Sequence, residues 1–245
     1  MSSTQKIIVS CILGVCFVLG AVALGLSFYK TKAPTRTLSV VGLASKEFES
    51  DLIVLNFNYS FKDMDKKVAY EGIKKTTQKI KDFLSSNGIK DADVTFKPLN
   101  VEEKERYVYD NAAGRSYYLF DGYEAQQNVR IESKDIDKVE ALDFSTLLDE
   151  DILVDTWAPE YYYTKLADLK IEMLSEATKD AHTRAETIVK NAGGKLNGLK
   201  NSNMGVFQIT APNSNDEDYT WGGAFNTSSK RKCATINMRL TYFVK

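Results

Sequence analysis

Residues 166–192 read as one long helix whose small side chains recur along one side. Ala177, Ala181 and Ala185 stand four apart, and Ala192 and Ile188 fall close to the same helical period. Side chains this small let a helix lie close against a sheet or a second helix. Gly193-Gly194 stops the run, because glycine tolerates the backbone conformation that closes helices.

Most of the remaining chain has a period of two. Leu38 to Ala44 can form a strand, and residues 53–61 form a cleaner one. Ile53, Leu55, Phe57, Tyr59 and Phe61 share one face, with Asn56, Asn58 and Ser60 on the other, the pattern of a half-buried strand. Asp63 and Asp65 then open a helix, where acids suit the positive N-terminal end. Its inward stripe is Ala69, Ile73, Thr76, Ile80, Phe83 and Leu84, and Asn87-Gly88 ends it. A strand at 94–96 precedes a hairpin, 101–109 with 116–131, that turns at Asn111-Ala112-Ala113-Gly114. In its returning strand Tyr123, Ala125, Val129 and Ile131 face one way. A second helix follows from Ser133 and Asp135, with Ile136, Val139, Leu142 and Leu147 inward. Strands near 152–157 and between 199 and 210 flank the alanine helix. The last strand alternates Ala234, Ile236, Met238, Leu240, Tyr242 and Val244 with polar residues. Hairpin strands separated by single helices predict an α+β fold, mostly antiparallel, with three main helices packed on one face. The domain spans 37–245 after a linker at 31–36. Two subdomains, 37–133 and 134–245, are an option with no residue-level repeat behind it.

Residues 7–29 hold no charge. A helix of that length spans about 35 Å, enough to cross a hydrocarbon core of about 30 Å. Residues 1–30 are therefore expected to be a transmembrane anchor. A cleaved signal peptide using Ala21-Val22-Ala23 is the competing reading. Lys30, Lys32 and Arg36 follow the span, and the positive-inside rule would put the following domain in the cytoplasm. Beyond residue 30 the chain carries all 33 acids but not Lys6 or Lys30 of its 32 basic residues, a net charge of −3. That balance gives no reason to expect a nucleic-acid partner. Of the three cysteines, Cys11 and Cys16 lie in the apolar run, which leaves Cys233 alone in the domain.

No signature of catalysis is present: no Gly-x-Ser-x-Gly elbow, no His-Glu-x-x-His, no phosphate-cradling glycine loop, no Cys-x-x-Cys. His182 is the only histidine, and it reads as a helix-surface residue. The acidic groups Asp149-Glu150-Asp151 and Asp216-Glu217-Asp218 lack the spacing of a calcium loop. No catalytic residue, cofactor or metal ligand is expected. Residues 211–232 read as a long loop. Its Tyr219, Trp221 and Phe225 are the candidate binding residues, since exposed aromatics favour contact surfaces. A plain hairpin connection is the competing reading. The tyrosines at 107, 109, 117, 118, 123 and 161–163 floor a ligand groove or are ordinary strand residues with wet hydroxyls.

The order of these elements resembles the SIMPL-domain family, which includes bacterial periplasmic immunogenic proteins and proteins linked to oxidative-stress defence. The likeness begins at Leu38-Ser39-Val40-Val41-Gly42-Leu43-Ala44 and continues at Asn87-Gly88-Ile89-Lys90-Asp91-Ala92-Asp93-Val94-Thr95. Asp121-Gly122-Tyr123-Glu124-Ala125, then Val129, Ile131 and Asp135-Ile136-Asp137-Lys138-Val139, resemble its Gly-Tyr-x-Ala strand and second helix. The alanine helix ending Ala192-Gly193-Gly194 and the last strand ending Leu240-Thr241-Tyr242 complete it. The segment 145–163 departs by lacking a glycine, and Lys230-Arg231-Lys232 stands where the family has Pro-Gly. The resemblance implies an envelope location outside the cytoplasmic membrane, a part in stress tolerance and no agreed catalytic residues. The expectation is a membrane-anchored, extracytoplasmic, non-enzymatic protein that assembles with itself or binds a protein partner. The alternative is an envelope ligand-binding module using the tyrosine-rich surfaces.

Overall fold

The computed structural model describes residues 3–32, 36–111, 114–213 and 222–245. Its elements are α1 (Ser3–Lys32), β1 (Thr37–Glu49), β2 (Leu52–Asp63), α2 (Lys66–Ser86), β3 (Val94–Phe96), β4 (Asn100–Asp110), β5 (Arg115–Ser133), α3 (Ile136–Glu140), β6 (Val154–Thr156), β7 (Glu160–Tyr162), α4 (Leu166–Asn191), β8 (Leu196–Met204), β9 (Gln208–Thr210) and β10 (Arg231–Val244). The fold is α+β. A six-stranded sheet runs β3-β5-β2-β6, with β4 also on β5 and β7 also on β2. A four-stranded sheet runs β1-β10-β8, with β9 also on β10. Every ladder of the first sheet, and those of β8 and β9 with β10, is antiparallel.

The chain divides into two compact units that interleave along the sequence. One holds residues 1–42, 178–204 and 238–245; the other holds 43–177 and 205–237. In the second unit α2 packs on β2 and β5. Asp65 caps α2, its side chain accepting from Lys67 N–H at 2.8 Å and Val68 N–H at 3.2 Å. The buried stripe is Ala69, Ile73, Thr76, Ile80 and Leu84, and burying its three branched aliphatics alone contributes on the order of 6 kcal/mol. Phe57, Ile53, Tyr59, Val129 and Ile131 meet that stripe from the sheet. In the first unit, Ala181, Ala185 and Val189 of α4 and Leu240 and Tyr242 of β10 are buried.

Four expectations need correction. The second helix is only α3, five residues long, followed by a 3-10 turn at Phe144–Glu150. Helix α3 closes at Glu140, and Asp143, extended at φ −103° and ψ 95°, opens the 3-10 turn by accepting from Ser145 N–H at 3.0 Å, so the two stretches do not join. The long helix buries Leu169, Met173, Ala177, Ala181, Ala185 and Val189, an unbroken four-residue repeat, whereas Ile188 is 48% exposed and Ala192 is exposed. Phe61 lies on the expected face of β2 but keeps 37% exposure, its ring lying over Gly72 of α2. The strand expected between 199 and 210 is two strands, β8 and β9, parted at Gly205, whose Cβ would meet Asn237 O at 2.9 Å.

The span expected over residues 7–29 coincides with α1. Among the described residues no helix is long and apolar enough to cross a membrane.

Candidate functional site

Exposed aromatic residues of the second unit gather on the outer part of the β4–β5 hairpin. The β2–β5 ladder ends at Asp63 opposite Tyr123. Beyond it β4 and β5 pair only with each other: Glu105 with Phe120, Arg106 with Leu119, Tyr107 with Tyr118, Val108 with Tyr117, and Tyr109 with Ser116. With Asp110 opposite Arg115 these make six pairs, which at about 3.4 Å each form a two-stranded ribbon of about 20 Å.

The departure point is built by one glycine. Between the pairs Glu103–Tyr123 and Glu105–Phe120, two residues of β5 face Lys104 of β4. This is a bulge, and Gly122 occupies it with φ 98°. A Cβ there would sit 2.7 Å from the Asp63 carbonyl. A bulge bends the strand that carries it, and the β2–β5 ladder ends beside it. Charges surround this neck. Lys62 pairs with Asp121, Lys104 bridges Glu124 at 3.0 Å and Glu102 at 3.5 Å, and Arg106 stands 4.0 Å from Asp121. The Lys62 ammonium bonded to Asp121 holds its carboxyl below the usual range. Charged residues in sequence at 102–106 also guard the open edge of β4 against strand addition.

Directly opposed residues in an antiparallel pair share a face. Tyr107, Tyr109, Tyr118 and Phe120 therefore lie on one face of the ribbon, and Tyr117 and Leu119 on the other. Tyr107 and Tyr118 are 60% and 67% exposed, and their rings meet edge to face at 5.6 Å. The Tyr107 hydroxyl donates to Ser116. Four half-exposed rings give a patch on the order of 400 Å², the scale that marks interaction surfaces. A small-molecule site is concave, whereas this is a ridge.

A family model, SIMPL, described as a protein of unknown function (DUF541), matches residues 38–230. The chain belongs to the SIMPL family. The match takes in the hairpin, its Gly122 bulge and all of α4. A comparison with curated proteins finds no match.

The aromatic loop of this SIMPL domain is only partly visible. Tyr219 and Trp221 lie outside the described residues, as does Asp216-Glu217-Asp218. Phe225 is 50% exposed, bridges Ile209 and stands 6.3 Å from the Tyr162 ring. The three tyrosines at 161–163 are occupied structurally. The Tyr161 hydroxyl donates to Glu140 at 2.7 Å, that of Tyr162 to Glu160 at 3.0 Å, and the Tyr163 ring packs on Phe48 at 4.8 Å. Burial, reinforced by Glu140, pushes the Tyr161 hydroxyl up to about 12.

His182 does stand between a hydroxyl and a carboxylate. Its Nδ1 is 3.1 Å from Tyr242 Oη and its Nε2 is 3.2 Å from Glu186 Oε1. The group faces solvent, with His182 and Glu186 side chains 48% and 61% exposed. Burial and the Glu186 charge raise the Tyr242 pKa, which opposes formation of a phenolate nucleophile. Among the described residues no three His, Cys, Asp or Glu side chains converge as metal ligands. Glu150 pairs with Lys79 at 2.9 Å, and Cys233 Sγ lies 3.4 Å from Ser45 Oγ.

One buried cation has no signal in the sequence. Lys232 is 1% exposed, on the same face of β10 as Ala234 and Ile236, and its Nζ donates to the Asn226 carbonyl at 2.6 Å. It pins the end of the aromatic loop to the sheet. The hairpin tip carried a signal in Tyr117-Tyr118-Leu119-Phe120. Four apolar residues in succession on one strand belong to both of its faces, which occurs when neither face or each face has a partner.

Proposed function

We propose that this SIMPL protein is a membrane-anchored, extracytoplasmic protein that works by adhesion, not by catalysis, and that the β4–β5 hairpin is its contact surface for a second copy or a protein partner in the envelope. The aromatic ridge carries the reading. An isolated two-stranded ribbon is at best marginal in water, and rings exposed on both faces gain from being covered. Anchoring is supported by the 23 uncharged residues at 7–29 and by the unbroken helix α1. The resemblance to periplasmic proteins supports the outer side of the membrane over the side the positive-inside rule would choose, and it also supports a part in stress tolerance.

The test is the mass of the full chain in neutral detergent by light scattering. An assembly of two or more chains is expected, reduced to monomer by Tyr107→Ser with Tyr118→Ser. A wild-type chain that stays monomeric at high concentration, and captures no partner through the hairpin, would contradict the reading. Protease digestion of intact cells and spheroplasts tests the compartment: the domain should be cut only once the outer barrier is opened.

A further inference from the structure

Register lays out the face of the six-stranded sheet turned away from α2. Phe57, Tyr59 and Val129 lie in the core against the helix, and successive residues of a strand alternate between faces. Asn56, Asn58 and Ser60 of β2 therefore lie on the other face, opposite Arg130, Asn128 and Gln126 of β5. On the far side of β2, Asp155 of β6 opposes Asn58. Trp157 continues that register, its N–H donating to the Asn56 carbonyl at 3.0 Å. It shares the face with Asn56 and is half exposed. Trp157, Asn56, Asn58, Asn128 and Gln126 thus form a diagonal track from the end of β6 across β2 to β5. With about 3.4 Å per residue and about 4.8 Å per strand, the track is about 17 Å long.

Local preference argues against these residues. Asparagine is depleted in strands, yet Asn56, Asn58 and Asn128 occupy the two innermost strands of this sheet. Nothing in the fold compensates. Asn56, Asn58, Gln126 and Asn128 are half-buried, and among the described residues no protein group hydrogen-bonds their side-chain amides. The amide of Gln127, one position along and on the opposite face, is bonded at both ends. Residues that break a local rule without a compensating contact are the mark of a functional surface.

The chemistry of the track selects its ligand. A side-chain amide both donates and accepts, which matches a hydroxyl or acetamido group that does the same. The indole offers a flat apolar surface with a polar edge, which suits the C–H face of a pyranose ring. The charges nearby balance. Asp155 stands at one end of the Asn58–Asn128 row and Lys97, whose N–H donates to the Asn128 carbonyl at 2.9 Å, at the other, and Arg130 pairs with Glu132 at 3.1 Å. Such a face neither attracts a polyanion nor suits an apolar partner. It is also flat, whereas a small-molecule site is concave, so the ligand is an extended polymer. We propose that Trp157, Asn56, Asn58, Gln126 and Asn128 bind an uncharged polysaccharide, a flat ribbon of equatorially linked pyranoses. One ring stacks on Trp157, and hydroxyl or acetamido groups of the following rings bond the amides. The track lies short of the hairpin's exposed rings and uses none of them.

Calorimetry on the full chain in neutral detergent tests this with chitohexaose, cellohexaose and, as a charged control, an oligouronate. A neutral hexamer should bind and the oligouronate should not. Trp157→Ala should weaken binding by about tenfold or more, as truncating an aromatic anchor does. Asn58→Thr with Asn128→Thr should weaken it by about fivefold or more through lost hydrogen bonds. The urea midpoint of that variant should be no lower than wild type, because threonine favours strands. Tyr107→Ser with Tyr118→Ser should bind as wild type does, which separates the track from the hairpin. Binding of chitohexaose alone puts acetamido groups on the amides, and binding of cellohexaose puts ring hydroxyls there; either supports the site. No binding of either hexamer, binding undiminished in Trp157→Ala, or equal binding of the oligouronate overturns it. A protein crosslinked through a photoreactive group at position 128, with no sugar bound, overturns it in favour of a protein partner.

Discussion

Tyr59 of β2 stands directly opposite Gln127 of β5, and its hydroxyl donates to the Gln127 side-chain carbonyl at 2.7 Å. Both are buried. Thr77 of α2 also donates to that oxygen, at 2.7 Å, and Gln127 Nε2 donates to the Lys97 carbonyl at 2.8 Å. One polar side chain thus ties the sheet to the helix above it and to the segment before β4. Tyr59→Phe should cost about 1 kcal/mol, and Gln127→Leu about 1–3 kcal/mol because the Lys97 carbonyl loses its donor. Urea titration of both variants measures this; a smaller loss for Gln127→Leu than for Tyr59→Phe would show that the network is not the tie.

The same burial sets an alkaline limit. Desolvation pushes the Tyr59 hydroxyl up to about 12, and Tyr161 also reaches about 12, whereas an unfolded chain ionises tyrosine near 10. Above that pH the unfolded state releases protons that the folded state retains. The contribution is fully present below about pH 10 and is lost as pH rises towards 12. Urea midpoints across that window should fall, and less steeply in Tyr59→Phe.

Gly122→Ala should destabilise the chain by roughly 2–3 kcal/mol, from backbone strain and the clash with the Asp63 carbonyl together. Thermal unfolding checks it. Gly114→Ala, at φ 60° in the hairpin turn with open space around its Cβ, should cost less.

Ala181→Leu should cost more than about 2 kcal/mol, since Ala181 has no exposed surface and the added carbons have nowhere to go. Ile188→Ala, one of the positions expected to be inward and found half exposed, should cost well under half of that. Equal effects would contradict the packing of α4.

Asp51 accepts from Thr164 N–H at 2.6 Å and from its hydroxyl at 2.7 Å. Burial alone would raise the Asp51 carboxyl, but the Thr164 bonds outweigh it and hold the pKa below its ordinary value. Its contribution is present above about pH 4 and is lost as pH falls through the lowered value. Asp51→Ala should cost about 1–2 kcal/mol at neutral pH, and the gap to wild type should close in acid.

Where burial follows one period, the sequence is easily read. Asp65, Ala69, Ile73, Ile80 and the Asn87-Gly88 stop are all where the pattern places them, and so are the alternating residues of β10. Tertiary partners hide the rest. Gln127 falls by alternation on the inward face with Ala125 and Val129, a polar residue whose partners the sequence does not show until Tyr59 and Thr77 supply its hydrogen bonds. Lys232 looks solvated until Asn226 receives it. The segment 136–150 has inward Ile136, Val139 and Leu147 at helical spacing, yet the extended Asp143 parts α3 from the 3-10 turn. The hairpin's tyrosines were visible as a cluster, but that they stand beyond the end of β2 is a matter of register, fixed by Gly122.

The central claim is that the hairpin ridge touches another protein. A photo-crosslinking phenylalanine analogue in place of Tyr118, with the same group in place of Lys75 on α2 as control, tests it in cells. The account predicts a discrete crosslinked product, a second copy or a single partner, from position 118 and none from position 75. No product at 118 from a folded, normally abundant chain would contradict it.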